Sequence, residues 1–532
     1  MPTNAISNDT NPRSGGAIDE QNTSCFEGLP VGEGRSSLLQ TMTVSGGLYF
    51  ALCFCALLLL SGAPALLNDP DTLWHTRVGL DILANRAFPH QDPYSHTFAG
   101  EPWIAKEWLS QVFLGVAYRV AGWNGVVALT VLALLISAGL CYRYLSQYVR
   151  PLFAAGIVIW GFSLSTGTFL VRPHIIALPF IIIFVAELWR RAEDGRAPSY
   201  WLLLILCVWA NLHGSFTFGF LAAAAAFARF VDAKGLIAFP FRVPAFRGEL
   251  QAWVLFLVAC PIVTLIHPYG TEAIWSTVVI TKSEAVAYIQ EWRPFSAQED
   301  KVIALNIIAI MVAALVSRAR LRLTTALFIA VLLYLYLSHV RFMHFLFLLG
   351  PILLAKDLAH SFHILDAAHG GNGEQTSMAS RLAMTTKQKG LAAALFILGP
   401  GVLLFPFFQL MPPQTSYPTS ALAAAEDAGL SGPVYNGYSF GGALVFSGIK
   451  TFIDGRTDRL FNDGFTHANE RSKAIGGGLI IADRLDEYNV QWTLLRVGDP
   501  RIEWFDASKE WQRFYSDADA VIHVPGGQTS DK

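Results

Sequence analysis

Apolar residues fall in long unbroken runs over most of this chain, with short polar breaks between them, rather than at the alternating or helical spacing of a water-facing fold. Eleven stretches read as membrane spans, roughly 44–67, 124–142, 151–170, 172–189, 199–212, 214–231, 252–267, 302–317, 323–338, 340–356 and 390–411. Gly, Pro and polar residues mark tight turns between neighbouring runs. Several runs fall short of the ~20 residues a bilayer needs, which leaves twelve or thirteen spans open beside about eleven. Residues 107–122 read either as a further span or as an amphipathic helix lying in the interface.

The basic residues favour the second choice. If 107–122 does not cross, the loops around 142–151, 187–199, 229–251, 317–323 and 356–389 lie on one side and hold sixteen Lys and Arg. The opposite set, around 68–106, 170–173, 211–215, 268–301 and 338–344, holds eight. Basic loops stay inside. The expectation is an N-terminus in the cytoplasm and a C-terminus outside.

From residue 412 the pattern changes: charge rises and the apolar runs shorten. Residues 432–463 read as strand, Gly-rich turn, short helix, strand and acidic loop. VQWTLLRV and AVIHVP read as strands, and ADRLDEY as a helix. The predicted fold class is a polytopic α-helical membrane protein with a small C-terminal α/β soluble domain. Its parts are a disordered cytoplasmic tail (1–43), a transmembrane domain (44–411) with a first outer loop at 68–123, and an extracytoplasmic domain (412–532). The tail is polar and cannot bury enough apolar surface to fold alone.

Composition agrees with this picture. The chain is 53% hydrophobic and 15% charged, against about 25% charged in an ordinary soluble domain. A net charge of −2 gives no field for nucleic acid. The six cysteines avoid the C-terminal domain and show no metal-ligand spacing.

Candidate chemistry gathers in the outer segments. Asp69 and Asp71 follow the first run directly, at the membrane–water boundary. There a carboxylate is partly desolvated, which suits a general base. Either residue can equally cap the helix that Trp74, Val78 and Ile82 outline. Nearby His75, His90 and His96 could join Asp71 or Asp92 at a metal, although their spacing is not specific. No cofactor is fixed by the sequence, and a divalent metal stays open. Arg172, Arg293 and Arg341 stand beside apolar helices, either snorkelling to the interface or meeting an anion. His174, His213 and His267 lie at helix ends, as helix–helix hydrogen bonders or as cavity lining.

The order of these features resembles the GT-C superfamily of membrane glycosyltransferases. Asp71, Gly79 and Ile82 fit the spacing found in aminoarabinose transferases and protein O-mannosyltransferases, but Thr72 stands where those families carry Glu. The run Asp71, Trp74, His75, Pro89, Asp92, Pro93, Tyr94, Ser95, Trp103, Glu107 and Trp108 is similar to a large group of bacterial multi-pass proteins. The likeness continues through Arg172-Pro-His, Asn211-Leu-His213-Gly, Glu291-Trp, Arg341, Asn436-Gly-Tyr438 and Asp454-Gly-Arg456.

The resemblance implies a multi-pass protein of a bacterial cytoplasmic membrane, taking a polyprenyl-phosphate-linked sugar as donor at the outer face. The acceptor (lipid, glycan or protein) is not given. The candidate catalytic residues are then Asp71, Asp69, Asp92 and Glu107. The candidate substrate-binding residues are Trp74, His75, Arg172, His213, Arg293, Arg341, Tyr438, Asp454 and Arg456. Asn436-Gly-Tyr438 sits in a place comparable to the acceptor-reading segment of oligosaccharyltransferases. Two other readings stand beside this one: a transporter or flippase of lipid-linked sugars, and a non-catalytic envelope assembly protein.

Overall fold

The computed structural model describes residues 48, 51, 52, 54, 62–236, 245–280, 283, 287–316, 321–361, 409–457, 460, 461 and 463–527. The tail 1–43, most of the runs 44–67 and 390–411, and most of the loop 356–389 lie outside the described residues. The described residues belong to one unit, Val44–Lys532.

The structure is mostly helical. Before the C-terminal segment, the helices of ten or more residues are, in chain order, α1 (Pro70–Asn85), α2 (Trp108–Leu145), α3 (Pro151–Ser165), α4 (Pro173–Glu193), α5 (Trp201–Leu212), α6 (Phe216–Ala233), α7 (Arg247–Thr264), α8 (Thr271–Ile280), α9 (Lys301–Val316), α10 (Leu323–Ser338) and α11 (Gly350–Ser361). Proline occupies the first position of α1, α3 and α4, where its missing N–H costs nothing. Four stretches among the described residues are long and apolar enough to cross a membrane: Trp108–Leu145, Pro151–Thr168, Phe216–Ala233 and Arg247–Thr264. The helices α5, α8, α9 and α10 are apolar but shorter.

The ambiguous stretch 107–122 is the first half of α2, set off from the rest by a break at Ala121 and Gly122 (φ +57°). Helix α8 was not expected, because its ten residues within 268–301 are too few for a span. Helix α4 lies at the centre, with Ile175, Ala177, Leu178, Ile181 and Phe184 all fully buried.

The C-terminal segment adds α12 (Thr419–Asp427), β1 (Val434–Asn436), α13 (Tyr438–Phe446), α14 (Asp463–Arg471), α15 (Gly478–Glu487), β2 (Trp492–Arg496), α16 (Arg501–Ala507), β3 (Trp511–Ser516) and β4 (Ala520–Pro525). The strands form a small mixed sheet in the order β1-β2-β4-β3, with β1 parallel to β2 and the other pairs antiparallel.

The strand expected at TFIDGR does not form. Its backbone groups are engaged by the loop after α1 and by Asn436: Thr451 N donates to Tyr94 O (3.0 Å), and Phe452 N donates to Asn436 Oδ1 (2.7 Å). The side chain of Thr97 donates to Phe452 O (2.8 Å). The segment 68–106 and the C-terminal segment therefore share one hydrophobic cluster. Trp74, Val78, Ile82 and Trp103 pack there with Tyr435, Phe452, Ile453 and Phe465.

A buried ion cluster fastens the same joint. The Arg456 guanidinium is paired with Asp92 and, at 2.7 Å, with Asp454. It lies over the rings of Tyr94 (5.1 Å) and Trp103 (5.0 Å). All three charged side chains are fully buried. Replacing Arg456 by Met would strand two buried carboxylates and should cost about 3–5 kcal/mol. The readout is the unfolding midpoint in detergent, and an unchanged midpoint would contradict this role.

Candidate functional site

The site is built where the starts of two helices meet. Val171 N donates to Leu66 O (2.9 Å), and Thr72 Oγ1 donates to Val171 O (2.8 Å), which sets the first turns of α1 and α4 side by side. Asp69 is the N-cap of α1 and accepts from Asp71 N (3.1 Å). Arg172 stands just before α4. Both helix N-termini carry partial positive charge, which favours carboxylates beside them.

One guanidinium here serves three acids. Arg172 is paired with both oxygens of Asp69, with Asp71 Oδ2 (3.0 Å) and with Glu291. The other oxygen of Asp71 accepts from Trp74 Nε1 (3.0 Å). Burial pushes the Asp71 carboxyl up to about 7, against the pull of Arg172, and the neighbouring Asp69 charge adds to the rise. Asp71 is therefore poised to exchange a proton near neutral pH.

Asp71 opens onto a cavity of about 830 Å³. Its walls include Asp69, Asp71, Glu107, Arg172, His213, Arg293, Arg341 and Tyr438. Tyr438 is the first residue of α13, so the C-terminal segment contributes directly to the wall. Burial and the nearby Asp71 charge hold its phenol well above the usual range, which keeps it a neutral hydrogen-bonding group. The lining holds four acidic residues (Asp69, Asp71, Glu107, Glu291) and four basic ones (Lys106, Arg172, Arg293, Arg341), so the cavity is not a simple sink for anions.

The cations differ in their partners. Arg293 is held in a two-pronged pair by Asp300 (2.9 and 2.9 Å). Arg341 makes no ion pair among the described residues and lies over the Trp292 ring, 4.3 Å from its centre. His174 sits against His213 (5.8 Å between ring centres) and His344 (5.5 Å) on one wall. Glu107 faces His213 Nε2 (3.4 Å) and His75 Nε2 (3.8 Å). His267 lies off the cavity lining and instead meets the Lys106 carbonyl (3.0 Å).

Five of the candidate catalytic and substrate-binding residues do not line the cavity: Trp74, His75, Asp92, Asp454 and Arg456. Trp74 orients Asp71. His75 accepts from Gln111 Nε2 at Nδ1 (3.1 Å), and burial holds its ring well below the usual range. Asp92, Asp454 and Arg456 form the buried joint described above. The loop histidines do not converge: His90 packs on Tyr269, and His96 Nε2 donates to Val434 O (3.0 Å). No group of three or more His, Cys, Asp or Glu among the described residues could hold a metal ion.

Glu291, Lys106 and Trp292 were given no role in the sequence reading, yet they line the cavity. Glu291 gains its place only through Arg172, and nothing local in the sequence announces that pairing. Against known proteins, the chain matches no family model and no curated protein.

Replacing Arg172 by Gln would leave three carboxylates crowded without their cation. The Asp71 carboxyl, already raised by burial, would lose the opposing pull of Arg172 and hold its proton still more tightly in the folded state than in the unfolded one. Folded protein would bind more protons, so stability should fall as pH rises. The loss in unfolding midpoint relative to the parent should be several degrees larger at pH 8 than at pH 5. An equal loss at both would contradict the shared-cation account.

Proposed function

We propose that the chain is a membrane glycosyltransferase of GT-C type, moving a sugar from a polyprenyl-phosphate carrier to an acceptor hydroxyl at the outer face of a bacterial cytoplasmic membrane. On this reading the helical region supplies about eleven spans and the C-terminal segment lies outside. One observation carries the proposal. A carboxyl group balanced near neutrality, Asp71, shares a cavity with Arg341, a cation that makes no ion pair among the described residues.

The chemistry follows from those two groups. The acceptor hydroxyl gives its proton to Asp71, and its oxygen bonds to the anomeric carbon of the donor sugar. The bond from that carbon to the phosphate oxygen breaks, and polyprenyl phosphate leaves with the electron pair. Arg341 meets the charge that grows on the phosphate. Asp69 acts as the cap that holds Asp71 in place and as a partner of Arg172. Trp292 and Tyr438 offer aromatic surface beside the reacting groups.

Proteoliposomes supplied with polyprenyl-phosphate-linked sugars and candidate acceptors test the proposal. Covalent transfer with release of polyprenyl phosphate is expected, whereas movement of the lipid across the bilayer without a new product would mark a flippase. Asp71→Asn should lower transfer by roughly 100-fold or more while leaving the protein folded. Normal transfer in that variant would remove Asp71 as the base.

The transfer rate should also rise with pH through about 7 and then level off, because only the ionised carboxylate accepts a proton. A profile flat from roughly pH 5 to 9 would contradict that role.

A further inference from the structure

The Asp454-Gly455-Arg456 segment has no part in the chemistry above, yet its middle residue presses on the reacting carboxylate. A Cβ placed on Gly455 would overlap Asp71 Oδ1 and lie 2.9 Å from Trp74 Nε1. Gly455 does not have the left-handed backbone that favours glycine, so lack of space excludes a side chain. Its two neighbours cannot retreat, because Asp454 and Arg456 are locked into the buried cluster with Asp92.

Two further glycines bring the same segments together. A Cβ on Gly441 would stand 2.5 Å from Asp454 Cα, and one on Gly442 would overlap Pro70 O at the start of α1. Helix α13, residues 453–455 and the first turn of α1 thus meet nearly backbone to backbone. Asp71 lines the cavity while Gly455 and Trp74 do not, so both lie behind the carboxylate.

We infer that Gly455 is a positioning residue for Asp71. It closes the space behind the carboxylate and leaves one orientation, with Oδ1 on Trp74 and Oδ2 on Arg172. The C-terminal segment thereby completes the site instead of merely covering it. The consequence for sugar transfer rests on the reading of Asp71 as base; the positioning itself does not.

A double-mutant cycle tests the positioning without any substrate. Gly455→Ala should lower the unfolding midpoint of the purified full chain by roughly 3 °C or more. In an Asp71→Ala background the same substitution should lower the midpoint by less than about a third of that amount, because the overlapping atoms are gone. Equal losses in both backgrounds would overturn the inference. If Gly455→Ala alone does not fold, the double variant decides: recovery of folded protein supports the inference, and failure to recover overturns it.

A second measurement separates positioning from simple packing. A protonated carboxyl group gives its proton to dicyclohexylcarbodiimide and adds through oxygen to its central carbon, so the adduct at Asp71, followed by mass spectrometry, should decline as pH rises through about 7. Gly455→Ala should move that midpoint by about one pH unit or more. A lowered unfolding midpoint with an unmoved labelling midpoint would mean that Gly455 only packs. Absence of sugar transfer would leave both measurements intact, so failure of the functional proposal is told apart from failure of this one.

Discussion

The sharing of Arg172 among Asp69, Asp71 and Glu291 is the constraint on which the site depends. A single cation cannot neutralise three carboxylates at the edge of an apolar helical body. The starts of α1 and α4 supply part of the missing positive charge, and burial raises the proton affinity of Asp71 to make up the rest. The group that gains this affinity is also one that opens onto the cavity. Electrostatic frustration of this kind is common where a side chain must pass a proton.

The rest of the architecture keeps that frustration in place. The segment 68–106 is not a free loop: it shares a hydrophobic cluster and a buried Asp92–Arg456–Asp454 cluster with the C-terminal segment. Tyr438 enters the cavity from that segment, and Gly455 lies behind Asp71. Segments far apart in the chain therefore meet around one carboxylate, and each is held by contacts that exclude water. On the proposed function, that exclusion strengthens the response of Arg341 to charge developing on a phosphate.

Part of this was legible in the sequence. Asp69-Pro-Asp71 after an apolar run states both a cap and a helix start, and the structure uses Asp69 as the cap. Strands β2 and β4 stand out as short apolar runs bounded by turns, whereas β3, WQRFYS, alternates too weakly to announce itself. Helix α8 is too short to read as a span. Three of the candidate site residues lie off the cavity for one reason. Asp92, Asp454 and Arg456 look like site residues because they are charged and lie in turn-rich segments. Only their mutual pairing, across distant parts of the chain, turns them inward. Glu291 was noted in the likeness but given no role for the complementary reason, since its partner Arg172 lies on another element.

The central claim is that Asp71 and Arg341 address the two ends of one reacting bond. A cryo-EM structure of the full chain in lipid nanodiscs, with a non-transferable polyprenyl-phosphate sugar bound, measures this most directly. The account requires the phosphate within hydrogen-bond reach of Arg341 and the anomeric carbon on the Asp71 side of the cavity. A donor seated elsewhere, or one whose phosphate lies against Asp71 with Arg341 empty-handed, would contradict it.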